Sequence, residues 1–208
     1  MNHSTSPARK GGSKSPNRSF YTRPTIEVAR DLLGKILTHG ETSGRIVEVE
    51  AYLGEGDLAA HAASGPTNRN RVIFGPPGHA YVYFIYGMYE CLNIVAEPAG
   101  VAGCVLIRAL EPVGGIATMQ QRRPAARRVE DLANGPGKLT RALGITLKHN
   151  GCDVTRGPIR VTGADEKVEI GVSPRIGITK SADLPLRFFI KGSPFVSRSN
   201  SAIKGSRF

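Results

Sequence analysis

The sequence predicts an α+β fold: a single mixed domain on a curved, mainly antiparallel sheet, with surrounding helices and a protruding β-hairpin. Three observations lead there. Strand-like apolar runs follow one another without regular helical crossovers, which disfavours a parallel sheet. Two of these runs, AYVYFIY and CLNIVAE, are separated only by Gly-Met-Tyr-Glu, the spacing of a hairpin. The chain has 208 residues, 40% hydrophobic and 22% charged, which fits one ordinary globular domain.

In chain order, residues 1–20 (MNHSTSPARKGGSKSPNRSF) are Ser, Gly, Pro and basic, a composition that predicts disorder. A folded domain is expected over 21–200, with a second basic tail at 201–208. Thr25 is placed to cap a helix running to Leu33, with Gly34 as its stop. KILTH follows, and then GRIVEVEAY alternates strictly, as a half-buried strand does. Its Val47, Val49 and Ala51 are expected to face the core, and Ile46, Glu48, Glu50 and Tyr52 the other side. GDLAAHAASGPTNRNR is small, polar and turn-rich, hence a loop. VAGCVLIRALEP reads as a strand ended by Pro112, with Cys104, Leu106 and Arg108 on one face and Val105, Ile107 and Ala109 on the other. Helical spacing occupies about 115–144, where Pro136 suits a first turn and Gly144 a stop. VEIGV, PRIGITK and LRFFIKG read as short strands.

Charge narrows the partners. The formal net charge is +11. Nine of the basic residues lie in 1–20 and 187–208, where there is no acid, leaving 19 basic against 17 acidic residues between them. Basic ends attract any polyanion, including DNA, RNA and anionic membranes, and equally serve as solubilising tails. No apolar run approaches the roughly 20 residues that span a bilayer. The first residues lack the apolar stretch of a secretory signal, so a cytoplasmic (nucleoid) or, in a eukaryote, nuclear protein is expected. Cys91, Cys104 and Cys152 are odd in number and widely spaced, so neither a disulfide framework nor a C-x-x-C metal pair is expected.

Four features carry chemistry. Glu48 and Glu50 share a strand face with Tyr52, and His61 follows within reach; a plain solvated face would also show such carboxylates. Tyr81, Tyr83, Tyr86 and Tyr89 crowd the hairpin, either as packing or as a stacking wall with an exposed wedge at Tyr86. Arg108 lies in an apolar stretch and needs a carboxylate, for which Glu48, Glu50 and Glu111 are candidates. NGPGKLTRALG places backbone N–H groups and Lys138 at a helix start, a usable phosphate site or an ordinary capped helix. It is not a Walker loop. A metal built from His61, His79 and Glu50 has no supporting spacing, so no metal or cofactor is expected.

Together, VARDLLGK, GRIVEVEAYLGEGDLAAHA, NRVIFGPPGHAYVYFIYGMYECLNIV, VLIRALEP, GPGKLTRALGI and PLRFFIKGSPFVSR resemble the alkyladenine (3-methyladenine) DNA glycosylase family over about residues 25–198. The resemblance implies a monomer that binds the minor groove of double-stranded DNA, flips out a damaged purine and hydrolyses its bond to the sugar. No metal and no covalent intermediate are implied. Glu50 corresponds to the general base for the attacking water, with Arg108 and the carbonyl of Ile176 holding that water. Tyr52, His61 and Tyr83 correspond to the pocket around the flipped base, and Asn93 to a residue that rejects guanine. Tyr86 corresponds to the residue filling the vacated stack, with Met88, Lys138 and Arg141 as further DNA contacts. The tails and Arg122, Arg123, Arg127 and Arg128 would add sequence-independent affinity. Two other classes compete: a non-catalytic nucleic-acid binder using the hairpin and tails, and a small-molecule enzyme holding phosphate at Gly135–Lys138.

Overall fold

A computed structural model describes residues 15–163 and 167–197. Most of the first tail, and all of 201–208, therefore lie outside the described residues. Residues 18–20, expected within that tail, belong instead to the described fold. Arg18–Tyr21 forms a helical turn, α1, and Arg18 is anchored to the Pro77 carbonyl and to Asp153.

Among the described residues, eight strands, all paired antiparallel, form one sheet: β1 Ile36–His39, β2 Thr42–Leu53, β3 Ala80–Ile85, β4 Tyr89–Val95, β5 Gly103–Gly114, β6 Ile159–Thr162, β7 Ile170–Ser173 and β8 Arg187–Ile190. The order is β3-β4-β5-β2-β1-β6, with β8 pairing both β2 and β7. Strand β2 is the spine. β5 follows it along one edge, while β1 takes Thr42–Arg45 and β8 takes Glu48–Glu50 on the other. Where these two partners hand over, the β2/β5 register slips between Ile46 and Val49. Such a bulge bends its strand and increases twist, and the sheet curls.

The bulge also breaks the expected alternation. Ile46 joins Val49 and Ala51 in the main core, whereas Val47 is buried in a separate hollow with Ile190 and Phe195. Pro112 does not end its strand either. It lies opposite Gly44 at a second register shift, and β5 continues to Gly114; a bulge tolerates the missing N–H. PRIGITK is a loop rather than a strand, and β6 is a strand that the apolar pattern did not mark.

Helices cover one face of the sheet. α2 (Thr25–Leu32) and α4 (Pro136–Leu143) bury Val28, Ala29, Leu32, Leu139, Ala142 and Leu143 against Ile46, Val49, Ala51, Val105 and Ile107. Thr25 is the first residue of α2 rather than its cap. Its N–H and hydroxyl both donate to Glu97 Oε1, at 2.6 and 2.9 Å, and Pro24 stands at the cap. The helical stretch 115–144 divides into α3 (Ile116–Arg122) and α4, and Gly144 ends α4 in the left-handed conformation (φ 70°). None of the described helices is long and apolar enough to cross a membrane.

The opposite face holds a smaller cluster of Ala62, Ile73, Tyr81, Val95 and Cys104, with Tyr52 and Tyr83 packed on it. Strands β3 and β4 pair as a hairpin whose turn is exposed at Tyr86 and Met88. At its tip the Met88 N–H donates to the Ile85 carbonyl at 3.2 Å, and Tyr86 and Gly87 both have positive φ, 53° and 65°. That turn hand matches strand twist. A left-handed tyrosine costs about 1 kcal/mol, so the tip carries strain to hold an aromatic outward.

Candidate active site

Strand register assembles the site. One row runs across five strands as Tyr81, Asn93, Leu106, Glu50 and Arg187, each opposite the next. Beside it Tyr83 faces Cys91, and Cys104 faces Tyr52. Above these rows lies a cavity of about 490 Å³, closed laterally by Ala59 and His61, by Gly135–Lys138 at the start of α4, and by Ile176–Ile178. Its size and its largely aromatic and aliphatic lining suit a small flat ligand.

Glu50 lies beneath the floor, fully buried, and its contacts all reach upward to residues that line the cavity. Oε2 accepts from the Tyr52 hydroxyl at 2.9 Å. Oε1 accepts from the Ile176 N–H at 2.8 Å and lies 3.3 Å from Arg108 Nη1. The resemblance gave Ile176 a role through its carbonyl; the contact present here is its N–H on the carboxylate. Arg108 donates from Nε to Glu48 Oε1 at 3.1 Å. Burial works against its charge, but Glu50 and Glu48 outweigh that and raise its pKa further. Glu111, the third candidate partner, pairs instead with Arg45 at 3.7 Å.

The walls are tyrosine and histidine. His61 Nδ1 is 3.0 Å from the Tyr81 hydroxyl, and its ring meets Tyr83 edge-on at 4.5 Å. Tyr81 and Tyr83 are 5.4 Å apart on the same face, as their alternation predicts. Burial, aided by Arg69, pushes the His61 pKa below its ordinary value and so favours the neutral ring. Burial likewise pushes Tyr81 up to about 12 and raises Tyr52 and Tyr83, so all three remain neutral hydroxyl donors. The Cys104 thiol is pushed up to about 12 and Cys91 is raised, both chiefly by burial, so neither supplies a thiolate. Asn93 is pinned with Nδ2 donating to the Tyr81 carbonyl at 3.2 Å and Oδ1 3.8 Å from Cys104 Sγ.

Of the residues singled out from sequence, Glu50, Arg108, Ile176, Tyr52, His61, Tyr83 and Asn93 converge on this cavity. Tyr86, 77% exposed, and Lys138 stand at its rim. Arg123, expected as a sequence-independent DNA contact, lines the cavity as well, whereas Met88 and Arg141 do not. Met88 projects from the hairpin tip, 62% exposed. Arg141 lies one turn along α4, its Nε donating to the Arg122 carbonyl at 2.9 Å.

Sequence reasoning missed the supports. Glu48, named only as a candidate partner, is fully buried and takes four hydrogen bonds: from Arg108, from Arg187 Nε at 2.7 Å, and from the Ser197 N–H and hydroxyl at 2.6 and 2.7 Å. Asp57 and Arg175 form a buried bidentate pair at 2.6 and 2.7 Å. Tyr89 packs on Gly137 so closely that a Cβ there would come within 2.8 Å of the ring, which fixes the tip end of the hairpin against α4. An arginine inside the apolar PRIGI was the one available signal for Arg175.

Three comparisons bear on what this arrangement does. A family model described as methylpurine-DNA glycosylase matches residues 19–194. A Methanoculleus marisnigri protein is 54% identical over 188 residues, covering 86% of this chain and 97% of that protein. One from Bradyrhizobium diazoefficiens is 50% identical over 194 residues, covering 93% and 95%. Both carry the name "Putative 3-methyladenine DNA glycosylase".

Proposed function

The chain belongs to the methylpurine-DNA glycosylase family and is a DNA glycosylase of DNA repair; from that premise we propose how it works. As a monomer it inserts Tyr86 into the duplex and turns an alkylated or otherwise damaged purine into the tyrosine-lined cavity. Base chemistry inside a stacked duplex is sterically blocked, and extrusion costs a few kcal/mol, least for a damaged and weakly paired base. An aromatic side chain in the vacated stack offsets part of that cost. The observation that carries the reading is the Glu50 carboxylate, bracketed by Arg108 and the Ile176 N–H, directly under an aromatic hollow and beside an exposed tyrosine finger.

In the proposed step, water enters from the cavity side between Tyr52 and Arg108 and attacks C1′ of the sugar. Glu50 takes the proton. The pair of electrons in the glycosidic bond leaves with the purine, and a cationic alkylated purine departs as a neutral base. Cation–π attraction to Tyr52, Tyr81 and Tyr83 favours such cationic bases over ordinary ones. A positioned general base typically contributes roughly 10² to 10⁴ in rate. Glu50→Gln should therefore keep affinity for a methylated duplex while release of free 3-methyladenine, measured by chromatography, falls by about that factor. Release at the wild-type rate would remove Glu50 from this role.

A further inference from the structure

We propose that Asp57 and Arg175 form a buried clasp that sets the geometry around Glu50, which makes both positioning residues for base release; this rests on the glycosylase reading above. Neither side chain lines the cavity, and both are almost wholly inaccessible, Arg175 at 0% and Asp57 at 1%. Yet their contacts join the three segments from which one side of the cavity is built. At the end of β2, Arg175 Nη1 donates to the Ala51 carbonyl at 3.0 Å and Asp57 Oδ2 accepts from the Leu53 N–H at 3.0 Å. In the following loop, Asp57 Oδ1 accepts from the Ala59 N–H at 3.2 Å, two residues before His61. In the 174–183 loop, Arg175 Nη2 donates to the Ser181 carbonyl at 3.3 Å, and the Ser181 hydroxyl accepts from the Leu58 N–H at 3.1 Å.

The clasp reaches Glu50 by two routes, one to each carboxylate oxygen. Arg175 and Ile176 share a peptide unit, and the N–H of that unit is the one bonded to Glu50 Oε1. The Arg175 guanidinium also lies 4.6 Å from the centre of the Tyr52 ring, whose hydroxyl donates to Glu50 Oε2. Tyr52 lines the cavity and Arg175 does not, so the guanidinium braces the ring from behind. Burial alone would raise the Asp57 pKa, but the hydrogen bonds and charge of Arg175 outweigh it and hold the carboxyl below its ordinary value. A bidentate, charge-assisted pair is directional, which a packing contact is not. It therefore locks the angle at which the Ile176 peptide and the Tyr52 ring meet the carboxylate.

The test compares wild type, Asp57→Asn and Arg175→Lys in single-turnover release of 3-methyladenine from a methylated duplex, with affinity for the same duplex measured separately. Misplacement of a reacting group by about 1 Å costs on the order of 10²-fold in rate. Asp57→Asn should slow release about 10- to 100-fold with affinity within about twofold. Arg175→Lys retains the charge without the fork and should fall between. A merely structural pair would lower melting temperature and the active fraction, seen as reaction amplitude, without changing the rate constant of the folded enzyme. Asp153→Asn, which breaks the distant Arg18–Asp153 ion pair, supplies that pattern as a control. Wild-type release with unchanged rate constants in both clasp variants overturns the clasp alone. A wild-type protein that frees no purine overturns the glycosylase reading, and the clasp's role with it.

Discussion

Glu48→Gln tests how the buried charge cluster is balanced. Two carboxylates, Glu48 and Glu50, face two guanidiniums, Arg108 and Arg187, and Glu48 has no exposed surface. Its Oε1 alone receives Arg108 Nε, Arg187 Nε and the Ser197 hydroxyl, and its Oε2 receives the Ser197 N–H. Glutamine keeps the shape but replaces one oxygen with an N–H₂ donor. Every partner is also a donor, so at least one buried donor loses its acceptor, and the two arginines are left with one carboxylate. Breaking a buried ion pair from one side costs about 3–5 kcal/mol. For a chain of this size 1 kcal/mol moves the melting temperature by roughly 2–4 °C, so a drop of about 6–20 °C is expected. The assay is urea unfolding with calorimetric melting. Glu27→Gln serves as comparison, because the Arg23–Glu27 pair is 3.9 Å apart and Glu27 is 58% exposed; it should cost under about 1 kcal/mol. A Glu48→Gln loss no larger than that of Glu27→Gln would refute the cluster's role in holding Arg108 and the last described residues in place.

Tyr86→Ser removes the exposed ring at the hairpin tip; affinity for lesion-containing duplex at fixed salt should weaken by about 1–3 kcal/mol, the worth of one stacked aromatic. Unchanged affinity would make Tyr86 a turn residue only. Asp57 gives the sign of an acid effect. Its folded pKa lies below the ordinary value, so its stabilisation is complete above the unfolded value of about 3.9 and is lost as pH falls through the lower folded value. Urea midpoints should therefore fall more steeply below pH 4 in wild type than in Asp57→Asn; parallel slopes would refute it.

Local pattern was enough wherever a strand stayed regular. β5 places Cys104, Leu106 and Arg108 toward the cavity and Val105 and Ile107 in the core, as alternation requires. β3 likewise stacks Tyr81 beside Tyr83. Pattern failed where a distant partner intervened. The bulge at Val47 arises where β2 changes partner from β1 to β8, two strands separated by more than 140 residues of chain, and it moved Ile46 into the core. Thr25 lost its expected cap because Glu97, 72 residues away, took both its N–H and its hydroxyl. PRIGITK did not become a strand because Arg175 is drawn to Asp57, 118 residues earlier.

By itself the sequence determined the sheet-dominated class, the hairpin with its aromatic tip and most of the side chains that meet at the cavity. Composition, alternation and turn chemistry act between neighbours in the chain, so they survive without coordinates. Tertiary structure alone decided that Glu50 sits below the cavity floor rather than in its mouth, that Arg108 serves both Glu48 and Glu50 but not Glu111, and what braces the Tyr52 ring. Those outcomes depend on pairing a buried charge with a group remote in sequence. The cost of leaving such a charge unpaired is felt only once the chain has folded around it.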